Sequence, residues 1–258
     1  MGGESTTRTV PRGGGTDKGP VGGRTGQRLS GLAVALGLVL FLGGFVWGAV
    51  VYRPYTVPTS SMTPTIDAGD RVLAQRIDGT DVRRGDVVVF KDATWANAPM
   101  VKRVVAVGGD TVACCQEGKL KVNGKVVDEP YLLDGTPAEF SNFPTVTVPE
   151  GRLFLLGDER DNSVDSTAHL TDAAGGTVSR GAVDARVDAV VWPMNGMLER
   201  PTGFEALGGL SSPGPLRTVV ALVIAGAVLI LVGAAYGPLA KRAAASRART
   251  GTGPAGAR

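Results

Sequence analysis

The sequence predicts a mainly β domain, antiparallel or mixed, set between two membrane-spanning helices. Three observations carry this. First, Leu29–Tyr52 and Thr218–Ala240 are apolar runs of 24 and 23 residues without a charge, and about 20 suffice to cross a bilayer core. Second, short Val-rich runs bounded by Gly, Asp and Pro recur between them, as strands with turn chemistry do. Third, Asn123-Gly124 separates two such runs, which is a strong signal for a type I′ hairpin.

Taken in order, residues 1–28 are rich in Gly, Thr and Arg without apolar periodicity, and are expected to be a disordered basic tail. The first span, 29–52, has two rivals. A buried soluble helix would carry a polar face. A cleaved signal peptide would have an apolar region of only about 7–15 residues and then a small-residue site; here Tyr52-Arg53-Pro54-Tyr55 follows instead. The span therefore reads as an uncleaved anchor, with Trp47, Tyr52 and Tyr55 suited to an interfacial aromatic belt. Residues 53–200 are ample for one core. Strands are expected at Arg71–Ile77, Asp86–Lys91, Met100–Val107, Lys119–Val122, Val126–Val127, Thr145–Val148, Arg152–Leu156 and Val183–Trp192. The Gly/Pro/Ser-rich residues 201–217 read as a linker into the second span, 218–240. Residues 241–258 are expected to be a second disordered basic tail.

Charge sets the orientation and excludes one class of partner. Arg24 and Arg28 precede the first span, and Lys241 and Arg242 follow the second. Positive flanks stay inside, so both termini are expected in the cytoplasm and residues 53–217 outside it. The first 29 residues carry +3 and the last 18 carry +5, which leaves −5 on the body between them. A nucleic-acid binder would place its basic stripe on the folded part, so none is expected as a partner. A hydrophobic content of 43% excludes a wholly disordered chain.

The two cysteines, Cys114 and Cys115, are adjacent. Outside the cytoplasm they would form a labile vicinal disulfide, or remain as thiols or pair with another chain. With one histidine in the chain they are too few for a zinc site; no metal and no cofactor is expected.

The single imidazole, His169, also limits a Ser-His-Asp arrangement to one position. A serine can instead be activated by a lysine kept neutral through burial; a shift of 3 units costs about 4 kcal/mol. Three segments offer the parts. Pro58–Thr65 is dense in hydroxyls, with two prolines; by composition alone it also suits a polar loop beside the membrane. In Met100–Val107, Lys102 and Arg103 interrupt an apolar run. Alternation puts Lys102 on one face with Met100, Val104 and Ala106, where an ammonium would be desolvated, or where a lysine at a strand edge would snorkel. Gly157–Ser166 holds four acids, an Arg, an Asn and two Ser after an apolar strand. It reads as a polar turn or as a brace for a buried lysine. A calcium loop would need acids at alternate positions, a rhythm that Asp158, Asp161 and Asp165 do not keep.

At these segments the sequence resembles bacterial type I signal peptidase, the membrane-bound Ser/Lys endopeptidase. Pro58-Thr-Ser-Ser61-Met62-x-Pro64-Thr65 is similar to its nucleophile box and Gly85–Phe90 to the strand box that follows. Lys102–Asp110 is similar to the general-base box and Gly157–Ser166 to the last box. The resemblance runs from the first span to about Trp192. It implies a β-domain of signal-peptidase type, Ser61 as nucleophile and Lys102 as base. It further implies an oxyanion hole from the Ser61 N–H and the Thr59 hydroxyl, Ser163 holding the lysine, and Asp165 in structural ion pairing. Asn162, Asp158 and Arg103 complete the orienting and structural set. Thr167 stands where the family often has Arg, so the Asp165 ion pair would be missing or made by Arg160 or Arg103.

The implied activity is removal of signal peptides from secretory preproteins with A-x-A-type cleavage sites, at the lipid bilayer and near the secretion translocon. By family analogy Ile66, Val72, Val88 and Val104 are candidates for the substrate pockets. Residues 53–61 span at most about 30 Å, so Ser61 stays close to the bilayer. Two rivals are distinguishable. A self-cleaving repressor-type Ser/Lys peptidase would be soluble, and a non-catalytic anchored β-domain would not need Ser61, Lys102 and Ser163 intact.

Overall fold

The computed structural model describes residues 21–95, 97–116, 118–133 and 142–250. The tail segments 1–20 and 251–258, expected to be disordered, lie outside these residues. The described residues divide into two compact units, 21–43 with 222–250, and 44–221.

The first unit is built from two helices, α1 (Val21–Val51) and α2 (Leu216–Thr250), whose remaining turns belong to the second unit. Both outrun their apolar stretches. Val21 lies inside the segment expected to be disordered, and α2 continues ten residues past Ala240. The reason is cooperativity: once nucleated, a helix gains a hydrogen bond for each residue added. Large apolar side chains such as Leu32, Val39, Leu231 and Val232 stay exposed on the protein, and both helices are long and apolar enough to cross a membrane. Where they meet, small residues let the backbones approach. Ser30 Oγ donates to Gly233 O at 2.6 Å, and a Cβ at Gly37 would sit 2.8 Å from Gly226 O.

The second unit is mainly β, and all its strand pairs are antiparallel. In chain order the strands are β1 (Tyr52–Thr56), β2 (Arg71–Arg76), β3 (Val87–Phe90), β4 (Met100–Val107), β5 (Thr111–Gln116), β6 (Lys119–Val122), β7 (Lys125–Val126), β8 (Phe143–Thr147), β9 (Arg152–Leu156), β10 (Val178–Ser179), β11 (Val183–Trp192) and β12 (Gly196–Met197). One sheet runs β1-β2-β11-β3-β4-β9-β10, with β12 on β11; the other runs β7-β6-β5-β8. Val122 pairs with Lys125 across Asn123-Gly124, both at positive φ (50° and 76°). This is the hairpin predicted from that dipeptide.

Four buried clusters occur among the described residues, and the three largest are these. Val105, Val112, Leu120, Phe154 and Phe204 share one, which joins the two sheets. Val88, Phe90, Val104, Leu153 and Leu155 share another. The third includes Met62, Ile66, Val72, Val87 and Val187. It pins the segment that carries Ser61, because Met62 and Ile66 are fully buried and bridge each other. Each such side chain contributes about 1.5–3 kcal/mol. The β4·β9 ladder shifts register between Val104 and Ala106, so strict alternation fails there. Val104 packs in one cluster, while Val105 and Ala106 both enter another.

Two details depart from the sequence expectations, and a third decides between alternatives left open there. Residues 201–217 are not a free linker. Thr202–Leu207 forms a 3-10 helix with Phe204 in the core. Arg84 donates to Leu207 O, Arg186 to Ser212 O, and Ser211 to Asp86. Tyr52 is not in an aromatic belt either. It opens β1, is buried, and donates to Asp188 Oδ2 at 3.0 Å; a buried phenol needs such a partner. Finally, Cys114 and Cys115 are joined in a disulfide on β5, and Cys114 belongs to the core.

Candidate active site

Ser61 lies in the turn after β1, and Lys102 is the third residue of β4. The fold brings them together across 41 residues of sequence. Lys102 Nζ and Ser61 Oγ are hydrogen-bonded at 2.6 Å, with Lys102 3% and Ser61 8% exposed. Thr59 Oγ1 lies 3.4 Å from Ser61 Oγ. A cavity of about 140 Å³ opens beside the three, walled by Tyr55, Val57, Val89, Pro99, Met100 and Val101. Burial among these groups lowers the Lys102 pKa below its ordinary value, and the carboxylates of Asp165 and Asp158 work against that. Desolvation wins because it acts on the whole ammonium, while neither carboxylate hydrogen-bonds to it.

Ile66, Val72, Val88 and Val104, expected in the pockets by analogy, do not line this cavity. They are fully buried in the packing clusters. The walls come instead from β1 with the turn after it, from β3, and from the start of β4 with the proline before it. No local pattern marks such a set, since it is assembled from three separate segments.

The loop after β9 closes on the same place. Glu159 N donates to Ser61 O at 3.2 Å, and Asn162 Nδ2 donates to Ser60 Oγ at 3.0 Å. A side chain at Gly157 would collide with Ser163 and with Ser61 O, so only glycine allows this approach. Ser163 differs from its expected role: its hydroxyl is buried next to Gly157 but finds no hydrogen-bond partner among the described residues. Asp165 differs too. It makes no ion pair among the described residues, and caps the 3-10 turn Ser166–His169 by accepting from Thr167 N and Oγ1. Its other oxygen accepts from Gly157 N at 2.9 Å. Thr167 thus occupies the carboxylate with hydrogen bonds.

Next to Lys102, Arg103 points into a different environment. Its Nε and Nη2 donate to the two oxygens of Asp158 at 2.8 and 2.6 Å, and Nη1 donates to Gly85 O. Thr65 Oγ1 also donates to Asp158, at 2.5 Å. Burial alone would lower the Arg103 pKa, but the Asp158 charge and hydrogen bonds outweigh it and the net shift is upward. The cation of the loop after β9, Arg160, pairs with Glu129 rather than with Asp165. Sequence reading missed Glu129 and Tyr131, which sit in a short aperiodic segment after the β6–β7 hairpin. It also missed the part played by Thr65.

His169 is elsewhere engaged. Its ring stacks on Trp95 at 4.4 Å and its Nδ1 meets Asp172 at 2.7 Å. The basic group hydrogen-bonded to Ser61 is therefore an amine. A serine hydroxyl bonded to an amine whose pKa is lowered by burial can be deprotonated for attack on a carbonyl.

Comparison with known proteins places the chain in a family. Residues 29–192 match the family model described as signal peptidase, peptidase S26. A probable signal peptidase I of Mycobacterium leprae is 34% identical over 236 residues, covering 69% of this chain and 78% of that protein. Signal peptidase I of Mycobacterium tuberculosis (strain H37Rv) is 33% identical over 199 residues, 58% of this chain and 68% of that one. Signal peptidase I of Bacillus licheniformis is 32% identical over 174 residues, 64% and 87%. The match spans more than half the chain and includes both Ser61 and Lys102, and on that ground the protein belongs to the signal peptidase family, peptidase S26, as a serine peptidase.

Proposed function

We propose that this protein is a membrane-bound endopeptidase that removes signal peptides from secretory preproteins through a Ser61/Lys102 dyad and an acyl-enzyme. The observation that carries the reading is the 2.6 Å contact between Ser61 Oγ and a buried Lys102. Neutral Lys102 takes the Ser61 proton as Oγ attacks the scissile carbonyl. The oxyanion is held by the Ser61 N–H and Thr59 Oγ1, a contribution of about 3–4 kcal/mol per donor in comparable sites. The resulting ammonium gives its proton to the leaving amine. Lys102, neutral again, then activates the water that releases the acyl group from Ser61.

The two apolar helices anchor the enzyme, with both termini cytoplasmic and the β-domain outside, an orientation that the basic flanks support. Signal peptides present an apolar segment and then small residues, so anchoring raises the effective concentration of the site. The small apolar cavity beside Ser61 suits the small side chains of A-x-A-type sites, and preproteins emerging from the translocon are the substrates.

The test is preprotein cleavage in detergent by the wild type, Ser61→Ala, Lys102→Ala and His169→Ala. The first two substitutions should abolish cleavage and the third should leave it within about twofold. Rates should rise with pH as Lys102 loses its proton, at a pH below the ordinary lysine value of 10.5. Cleavage by Ser61→Ala or Lys102→Ala at the wild-type rate would sink the reading.

A further inference from the structure

We infer that Glu129 and Tyr131 are positioning residues for this reaction, a clamp that keeps the Asp158 carboxylate turned onto Arg103 and the Gly157–Glu159 backbone set against Ser61. The inference deepens the proposed dyad and rests on it. Four contacts build the clamp. The Arg103 guanidinium lies over the Tyr131 ring, 3.9 Å from its centroid. Tyr131 Oη donates to Glu129 Oε1 at 2.5 Å. Glu129 pairs with both terminal nitrogens of Arg160. Arg160 Nε donates to Gly157 O at 3.1 Å.

The two arms converge on one peptide. Tyr131 holds Arg103, which grips the side chain of Asp158. Glu129 holds Arg160, which grips the carbonyl of the preceding residue. The residue after Asp158 donates its N–H to Ser61 O. Arg103, Asp158, Arg160 and Glu129 all have side chains no more than 6% exposed, so water does not replace a lost partner. Tyr131 is held in its protonated form, with its pKa raised by burial and by Glu129, which fits its place as the donor to that carboxylate.

The clamp reaches the base through charge. Asp158 and Asp165, both from the loop after β9, are the acids that act on Lys102. On β4 the adjacent cation is Arg103; Glu129, Arg160, Arg103 and Asp158 act on Tyr131. A guanidinium stacked on a ring keeps its fork in the plane that a carboxylate accepts. Without the ring, Arg103 loosens its hold, more of the Asp158 charge falls on Lys102, and the ammonium is favoured.

The test uses the full chain in detergent and a short soluble peptide spanning an A-x-A site, with kcat and KM measured from neutral to alkaline pH. Wild type, Tyr131→Ala, Tyr131→Phe, Glu129→Gln and Ser61→Ala are compared. Tyr131→Ala should lose about tenfold or more in kcat with little change in KM, and its acid limb should move to higher pH. Tyr131→Phe, which keeps the ring and loses only the contact to Glu129, should have a limb close to wild type and well short of the Tyr131→Ala shift. Glu129→Gln should shift the limb in the same direction by less. An acid limb for Tyr131→Ala that superimposes on wild type, whatever the rate, overturns the inference, as does Tyr131→Phe behaving like Tyr131→Ala. If Tyr131→Ala gives no cooperative melt, Glu129→Gln decides, and an unshifted limb there overturns it. Ser61→Ala separates the two levels: its activity tests the dyad, and the limb positions test the clamp.

Discussion

Lys102 and Arg103 are neighbours on β4 and equally removed from water, at 3% and 2% exposure. On the Lys102 side lie a hydroxyl and a small apolar cavity. On the Arg103 side lie a carboxylate bound through two hydrogen bonds, a backbone carbonyl and an aromatic face. Burial pushes both cations toward neutrality. It prevails for Lys102 and is outweighed for Arg103. The difference teaches that burial does not by itself set the charge of a side chain; the partner that is buried with it does.

The largest expected effect comes from breaking the braced side. Arg103→Met leaves Asp158 as a buried unpaired charge, which costs about 3–5 kcal/mol. Denaturant unfolding of the full chain should show the midpoint falling accordingly, and a loss under about 1 kcal/mol, the range of a surface pair, would contradict the picture of a braced carboxylate.

The opposite side should respond in the opposite sense. A lysine whose folded pKa is depressed binds fewer protons folded than unfolded, so it penalises the fold at any pH below its unfolded pKa near 10.4. Lys102→Met should therefore raise the melting temperature at neutral pH, by less than Arg103→Met lowers it. The advantage should shrink as pH climbs toward that unfolded value. A variant that melts below wild type at neutral pH would show that the amine is not held neutral at a cost.

The smallest effect sharpens the comparison within the site. Asp165 opposes the desolvation of Lys102 without touching it. Asp165→Asn retains an acceptor for Thr167 and removes the charge. The acid limb of the pH–rate profile should move to lower pH by a fraction of a unit. A limb that stays fixed would mean that Asp165 does not act on the base.

Much of the β-domain was legible because strands in a small core leave period-two and all-apolar runs. Met100–Val107, Lys119–Val122, Arg152–Leu156 and Val183–Trp192 fall at the predicted residues. Tyr52–Thr56 was not legible as a strand, because it continues an apolar helix and contains Pro54. Nor was Thr111–Gln116, where a register shift and adjacent cysteines interrupt the alternation. The packing of residues 201–217 was hidden by a turn-like composition, since one buried Phe204 and a few side-chain bonds suffice to tie the segment down.

The sequence by itself determined the order of parts: apolar stretches long enough to cross a membrane, strands of a mainly β domain between them, and hydroxyls, a lysine and an acidic loop in fixed succession. These follow from local spacing and side-chain chemistry, which act over a few residues. Tertiary structure decided which amine meets which hydroxyl, that the Ser163 hydroxyl finds no hydrogen-bond partner among the described residues, that Thr167 hydrogen-bonds Asp165, and that Glu129 and Tyr131 join the brace. Those are outcomes of desolvation and of contacts between groups as many as 41 residues apart for the dyad and 31 for Glu129 and Arg160. No local pattern encodes them, because the free energy of a buried charge depends on everything that surrounds it.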